Sequence, residues 1–116
     1  MINRVIAFID GASHGNPGPS GIGILLIDAA DNVEILRLSI PIGKATNNIA
    51  EYSAFIAALE KAIQLEAKQI EIRSDSQLLV KQMKGEYKVK NPFIAKLAIK
   101  AYELLSKFDS YNLIHI

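Results

Sequence analysis

Residues 3–9 (NRVIAFI) are an apolar run that stops at Asp10-Gly11, and IGILLI at 22–27 repeats its character. Bulky aliphatic side chains stand at consecutive positions in both, so each strand is apolar on both faces. Such strands belong in a sheet that wants cover on both sides, which restricts the chain to helices layered on a sheet. Residues 33–40 (VEILRLSI) read as a third strand, with Asp31-Asn32 as the hairpin turn before it. Between the first two strands lies ASHGNPGPSG, with three glycines and two prolines in ten residues, which reads as a loop.

The period then changes. Thr46-Asn47-Asn48 offers helix-capping side chains, and Ile49, Tyr52, Phe55, Ile56, Leu59 and Ile63 keep a helical spacing to about Glu66. QIEIR at 69–73 reads as a short strand stopping at Ser74-Asp75. Ser76 to about Lys84 reads as a short helix closed by Gly85. Asn91-Pro92 opens another, with Pro92 at its first position and Leu97, Tyr102, Leu105 and Phe108 directed at a core. Residues 111–116 (YNLIHI) read as the last strand. The order βββαβααβ is an α/β fold with a mixed five-stranded sheet, three strands antiparallel and the rest parallel. Ligands in such sheets bind at strand carboxyl ends near the switch in strand order.

The 116 residues fit one domain, 1–116. With no cysteine there is no disulfide scaffold, no thiolate metal site and no thiol nucleophile. Only His14 and His115 are present, which argues against a multi-histidine metal site. MINRVIAFID is too short and wrongly flanked for a signal peptide, and no stretch reaches the roughly 18 apolar residues of a membrane span. A cytoplasmic location is the default expectation, with no membrane partner. Charge is unevenly spread: residues 1–80 carry −3, residues 81–107 carry +5 from seven lysines, and the last nine carry −1. A basic third beside an acidic remainder suits a polyanion held near clustered carboxylates. A solvated helix face plus a lysine-rich link is the plainer account.

Asp10 and Asp75 each close a strand, and Glu51 lies one turn into the helix after the Asn47-Asn48 cap. If the first and fourth strands are parallel neighbours, the three acids converge. Their repulsion would then be relieved by a hard divalent cation, Mg²⁺ or Mn²⁺. Two such ions can clamp the attacking and leaving oxygens of a phosphoryl displacement. Singly, each acid could serve only a strand end or a helix dipole.

The pieces FIDGASHGNPGPSGIG, ATNNIAEYSAFIAAL and IRSDSQLLVKQM together resemble the type 1 ribonuclease H family, whose members cut the RNA strand of RNA–DNA hybrids. The resemblance implies a ribonuclease H-like fold of compact prokaryotic type. It makes Asp10, Glu51 and Asp75 catalytic and metal-binding, with two Mg²⁺ ions (Mn²⁺ as substitute). It implies endonucleolytic cleavage giving 5′-phosphate and 3′-hydroxyl products. Gly11, Gly15, Asn16 and Gly18 would meet the RNA strand. Asn47, Asn48 and Gln77 would flank the scissile bond, and Thr46 would help seat a DNA phosphate. Amides and close-approaching glycines suit a 2′-hydroxyl that both donates and accepts. Capping is the alternative use of Asn47 and Asn48. Lys84, Lys88 and Lys90, in KGEYKVKNP, are the expected phosphate contacts in place of the tryptophan-rich basic handle that some members carry. Double-stranded RNA is a further candidate substrate.

The resemblance is incomplete. Family members usually carry a fourth acid in a helix after the last strand, preceded by a loop histidine. The sequence reaches Ile116 before either, and His115, inside a strand, is not that histidine. Two alternatives therefore stay open: a catalytically weak or inactive hybrid- or duplex-binding module, and a truncated form of a longer active enzyme. A phosphate cradle at GNPGPSG is a poorer third, because no helix follows it. The missing helix would leave one sheet face bare, inviting a homodimer there, and the missing acid would weaken one metal site.

Overall fold

The structure, a computed structural model, describes residues 2–116. Its elements are β1 (Arg4–Ser13), β2 (Gly18–Asp28), β3 (Glu34–Ala45), α1 (Asn47–Gln64), β4 (Gln69–Ser74), α2 (Gln77–Met83), α3 (Pro92–Leu105) and β5 (Ser110–His115). They form one five-stranded sheet ordered β3-β2-β1-β4-β5. The β3-β2-β1 meander is antiparallel, and β4 and β5 add in parallel. Element order and pairing are those the sequence predicts. No helix among the described residues is long and apolar enough to cross a membrane.

The strands are longer than their apolar runs. β1 continues past Asp10-Gly11 to Ser13, because Asp10 through Ser13 pair residue for residue with Gly23 through Ser20. Only residues 14–17 are left as the connection, which contains a cis Asn16-Pro17 bond. β3 runs on through Pro41 to Ala45. Gly21 pairs with Pro41 and Ser20 with Gly43, so Ile42 is an extra residue, and Gly43 at φ +80° accommodates the bulge. Reading glycine and proline as breakers ends these strands too early.

The core lies between the sheet and α1. Val5, Ala7 and Ile9 of β1, Ile24 and Leu26 of β2, and Ile70 and Ile72 of β4 are buried with Tyr52, Phe55 and Leu59 of α1. Burial of Phe55 or Leu59 contributes about 1.5–3 kcal/mol each. α1 ends at Gln64, two residues before the predicted end, with Glu66 at φ +60° just beyond it.

α3 packs on α1 through Ile94, Ala98, Ala101 and Leu105. Of the expected core residues, Leu105 and Phe108 are buried and Leu97 is half-buried. Tyr102 is 43% exposed, and its hydroxyl donates to the Met83 carbonyl at 2.6 Å. The stripe is carried by small alanines that a search for bulky residues overlooks.

On the sheet face turned away from α1, Phe8 and Leu25 are half-buried rather than bare. The Arg73 guanidinium lies 5.3 Å from the Phe8 ring centroid. Glu71, 4% exposed, is gripped by Arg4 at 2.5 Å and Arg73 at 2.6 Å. Those paired charges interrupt the apolar face that the strand runs suggest. Two shallow grooves, each about 450 Å³ (460 and 450 Å³), run over this face of β1–β3, and Asp10 borders both.

Candidate active site

The β1–β4 ladder ends with Ile9 opposite Ser74. Asp10 and Asp75 are the next residues along the chain, Asp10 still within β1 and Asp75 just past the end of β4. Parallel pairing therefore sets both acids at the same carboxyl edge, and both are exposed.

Glu51 reaches that edge from α1 because of Gly11. A Cβ at Gly11 would lie 2.3 Å from the Ala50 carbonyl carbon and oxygen and 2.4 Å from the Glu51 nitrogen. Only a residue with no side chain lets the second turn of α1 press against β1 there. Thr46 is the N-cap, its hydroxyl oxygen accepting from the Ile49 N–H at 3.2 Å. Glu51 is thus the fifth helical residue, beyond the first turn in which a dipole interaction is strongest.

Burial pushes the Glu51 carboxyl above its ordinary pKa of 4.5; a hydrogen bond from the Ser76 hydroxyl lowers it, and the charges of Asp75 and Asp10 raise it again. Glu51 therefore senses both aspartates. The three side chains are not drawn into a closed ligand cluster: among the described residues no group of three His, Cys, Asp or Glu has that geometry. A cation bound at this edge would relieve the like charges that Asp75 and Asp10 bring to Glu51. Among the described residues the ion pairs are Arg4–Glu71, Arg73–Glu71 and Arg37–Glu34, so none engages Asp10, Glu51 or Asp75. An all-oxygen, anionic, mutually repelling set fits a hard divalent ion.

The amides flank this edge in a fixed orientation. The Asn47 N–H donates to Asn16 Oδ1 at 3.1 Å, and the Ser13 N–H donates to Asn47 Oδ1 at 2.8 Å. Because backbone donors fix both oxygens, both NH₂ groups are left for other acceptors. Neither Asn47 nor Asn48 serves as the helix cap: Thr46 does, Asn47 Oδ1 is taken by Ser13 of β1, and the first N–H of α1 goes to Asn16. Asn48 Oδ1 is buried without a partner. Ser13 Oγ donates to the Gly15 carbonyl and reaches the Ala45 carbonyl at 2.8 Å, which Ser20 Oγ shares at 3.1 Å. A Cβ at Gly18 would lie 2.0 Å from the His14 carbonyl, so this tight turn needs glycine there; Gly15 adopts φ +88°. Gln77, the first residue of α2, is exposed.

Lys84, Lys88 and Lys90 are exposed on the α2–α3 connection and form no ion pair among the described residues. Beside them Lys81 Nζ lies 5.0 Å from the Tyr87 ring centroid. Ser76, Ser13 and Ser20 are the side chains that the sequence reading passes over. Ser76 was detectable as the N-cap of α2, its Oγ accepting from the Leu79 N–H at 3.1 Å. The two others act through long-range contacts with Ala45 that no local pattern records.

A family model described as "Reverse transcriptase-like" matches residues 8–116. The chain is 43% identical over 113 residues to a ribonuclease HI of Halobacterium salinarum, covering 97% of this chain and 56% of that protein. It is 41% identical over 109 residues to a bifunctional protein of Mycobacterium tuberculosis, covering 94% of this chain and 30% of that protein. The chain thus spans little more than half, or less than a third, of these relatives. Among solved structures, RNase H1 from Halobacterium salinarum superposes with TM-score 0.95 at 43% identity, over 98% of this chain and 86% of that one. LC11-RNase H1 in complex with RNA/DNA hybrid gives TM-score 0.88 at 37% identity, over 97% of this chain and 84% of that one.

Proposed function

The chain belongs to the type 1 ribonuclease H family, and we propose that it hydrolyses internal phosphodiester bonds in the RNA strand of RNA–DNA hybrids, using divalent metal ions held by Asp10, Glu51 and Asp75. The observation that supports this reading is the register of β1 and β4, which sets Asp10 and Asp75 one residue beyond the Ile9–Ser74 pair, together with Gly11, which lets the backbone of α1 at Glu51 press against β1 beside them. The solved hybrid complex of LC11-RNase H1 supports the substrate class.

Residues 1–116 act as one ribonuclease H-like unit. Asp10, Glu51 and Asp75 supply the negative oxygens. Two Mg²⁺ ions held there, or Mn²⁺ in their place, would supply Lewis acidity toward the attacking water and the leaving 3′ oxygen. The NH₂ groups of exposed Asn16 and Asn47 meet sugar oxygens, the 2′-hydroxyl that separates ribose from deoxyribose among them, with Asn48 beside them at the start of α1. Gln77 adds a further amide at the start of α2, and Thr46 lies where a DNA phosphate can approach the N-terminus of α1. Lys84, Lys88 and Lys90 neutralise phosphates. The products are a 5′-phosphate and a 3′-hydroxyl.

The test is cleavage of an end-labelled hybrid in Mg²⁺ and then Mn²⁺, wild type against Asp10→Asn. Wild type cuts and the variant binds without cutting. Near wild-type turnover by the variant in Mg²⁺ refutes the assigned site. Hybrid binding without cleavage by the wild type would leave a binding module instead of an enzyme.

A further inference from the structure

We propose that His115 is a positioning residue for Asp75, holding the β4–α2 corner with a side-chain N–H where the sheet's own hydrogen bonds have ended. The inference rests on the reading of Asp75 as a metal ligand.

The β4–β5 ladder closes at Ser74 opposite His115, and the Ile116 N–H donates to the Ser74 carbonyl at 2.9 Å. The next carbonyl, that of Asp75, lies past the last paired residue of β4 and before the N-cap of α2, so neither element provides it a donor. His115 Nε2 stands 3.2 Å from it. A carbonyl only accepts, so Nε2 carries the hydrogen.

The other end of the same peptide unit is also held: the Ser76 N–H donates to Ser74 Oγ at 3.0 Å. The Asp75–Ser76 peptide is therefore pinned at its oxygen by His115 and at its nitrogen by Ser74. Displacement of that peptide unit would carry the Asp75 Cα with it, and so the carboxylate, relative to Asp10. β1 fixes Ser74 from one side, and β5 is an edge strand on the other. The imidazole extends the grip of that edge strand by one residue, to the residue whose direction matters.

Mn²⁺ binding, followed by electron paramagnetic resonance or calorimetry, tests this alongside steady-state cleavage. The Nε2 of glutamine reaches about as far as that of histidine, so His115→Gln keeps the donor and His115→Leu removes it. An exposed hydrogen bond of this kind predicts a loss of about two- to tenfold in Mn²⁺ affinity for His115→Leu. A comparable fall in kcat accompanies it, with KM for the hybrid unchanged, while His115→Gln stays within about twofold of wild type on each. The inference is overturned if His115→Leu binds Mn²⁺ as wild type does, or if His115→Gln is as impaired as His115→Leu, which would indicate a purely structural requirement for the ring. Asp75→Asn separates the levels: if it leaves Mn²⁺ binding intact, the assignment of Asp75 as a ligand fails and takes this inference with it.

Discussion

Replacing Gly11 with alanine should damage stability and turnover together, by amounts the contacts set. The added Cβ would sit 2.3 Å from the Ala50 carbonyl atoms and 2.4 Å from the Glu51 nitrogen. Those are backbone atoms of a helix and cannot rotate aside. Relief to an ordinary contact near 3.4 Å requires α1 to retreat from β1 by roughly 1 Å. α1 is seated by fully buried Tyr52, Phe55 and Leu59, so that retreat loosens the core. Overpacking of this kind costs about 1–3 kcal/mol, offset by about 0.4–1 kcal/mol from the stiffer unfolded chain. Glu51 moves with the helix, and a misplacement of that size can cost about 10²-fold in rate. Gly23→Ala is the control, since its Cβ would meet nothing nearer than the Asp10 carbonyl at 4.0 Å; it should be neutral or stabilising by about 0.4–1 kcal/mol. Urea denaturation and hybrid cleavage read both quantities. If Gly11→Ala kept stability within ~0.5 kcal/mol and turnover within about twofold of wild type, the argument that this glycine sets the position of Glu51 would be refuted.

A carboxyl whose folded pKa lies above its unfolded value disfavours ionisation in the fold, so metal-free stability should fall as pH rises from about 4.5 through the raised value of Glu51. Glu51→Gln should therefore melt higher than wild type at pH 7 in chelator, with the gain gone below pH 4.5, and Mg²⁺ should reverse the order at pH 7 by stabilising the wild type more; equal melting across the range would show that Glu51 is not destabilised by its neighbours. Hybrid affinity should fall steeply with salt, and replacing Lys84, Lys88 and Lys90 together should flatten the log K against log salt slope by about 2–3 if each neutralises one phosphate; an unchanged slope would place the substrate path elsewhere.

The placement of most candidate site residues was legible because they sit where local rules are strong. Asp10 and Asp75 end apolar runs, Thr46 starts a helix, and Glu51 follows at helical spacing, so the parallel pairing of β1 and β4 puts the two aspartates on one edge, while the approach of Glu51 depends on the contact at Gly11. Strand ends were less legible. Gly21, Pro41 and Gly43 look like breakers singly, yet their partners across the sheet keep the chain extended, and that information is non-local. The same holds for α3, where Tyr102 resembles a core residue until α1 claims the alanine stripe instead. The orientation of Asn16 and Asn47 depends on backbone N–H groups about 30 residues away in sequence, which no motif encodes.

The pairing of Ile9 with Ser74 also bears on when the protein can first work. Asp10 and Asp75 are separated by the whole β2–β3 meander and α1, and they become neighbours only when β4 docks in parallel on β1. Closing so long a loop carries an entropic cost that only a nearly complete core repays, and parallel, non-local pairing is slow for that reason. A chain emerging from the ribosome can form the β1–β3 meander and α1 with Asp10 and Glu51 in hand, yet it gathers the full acidic edge only after β4 has been made and seated. Assembly of the acidic edge is thus tied to the docking of β4, and partly folded chains carry the acids without the site.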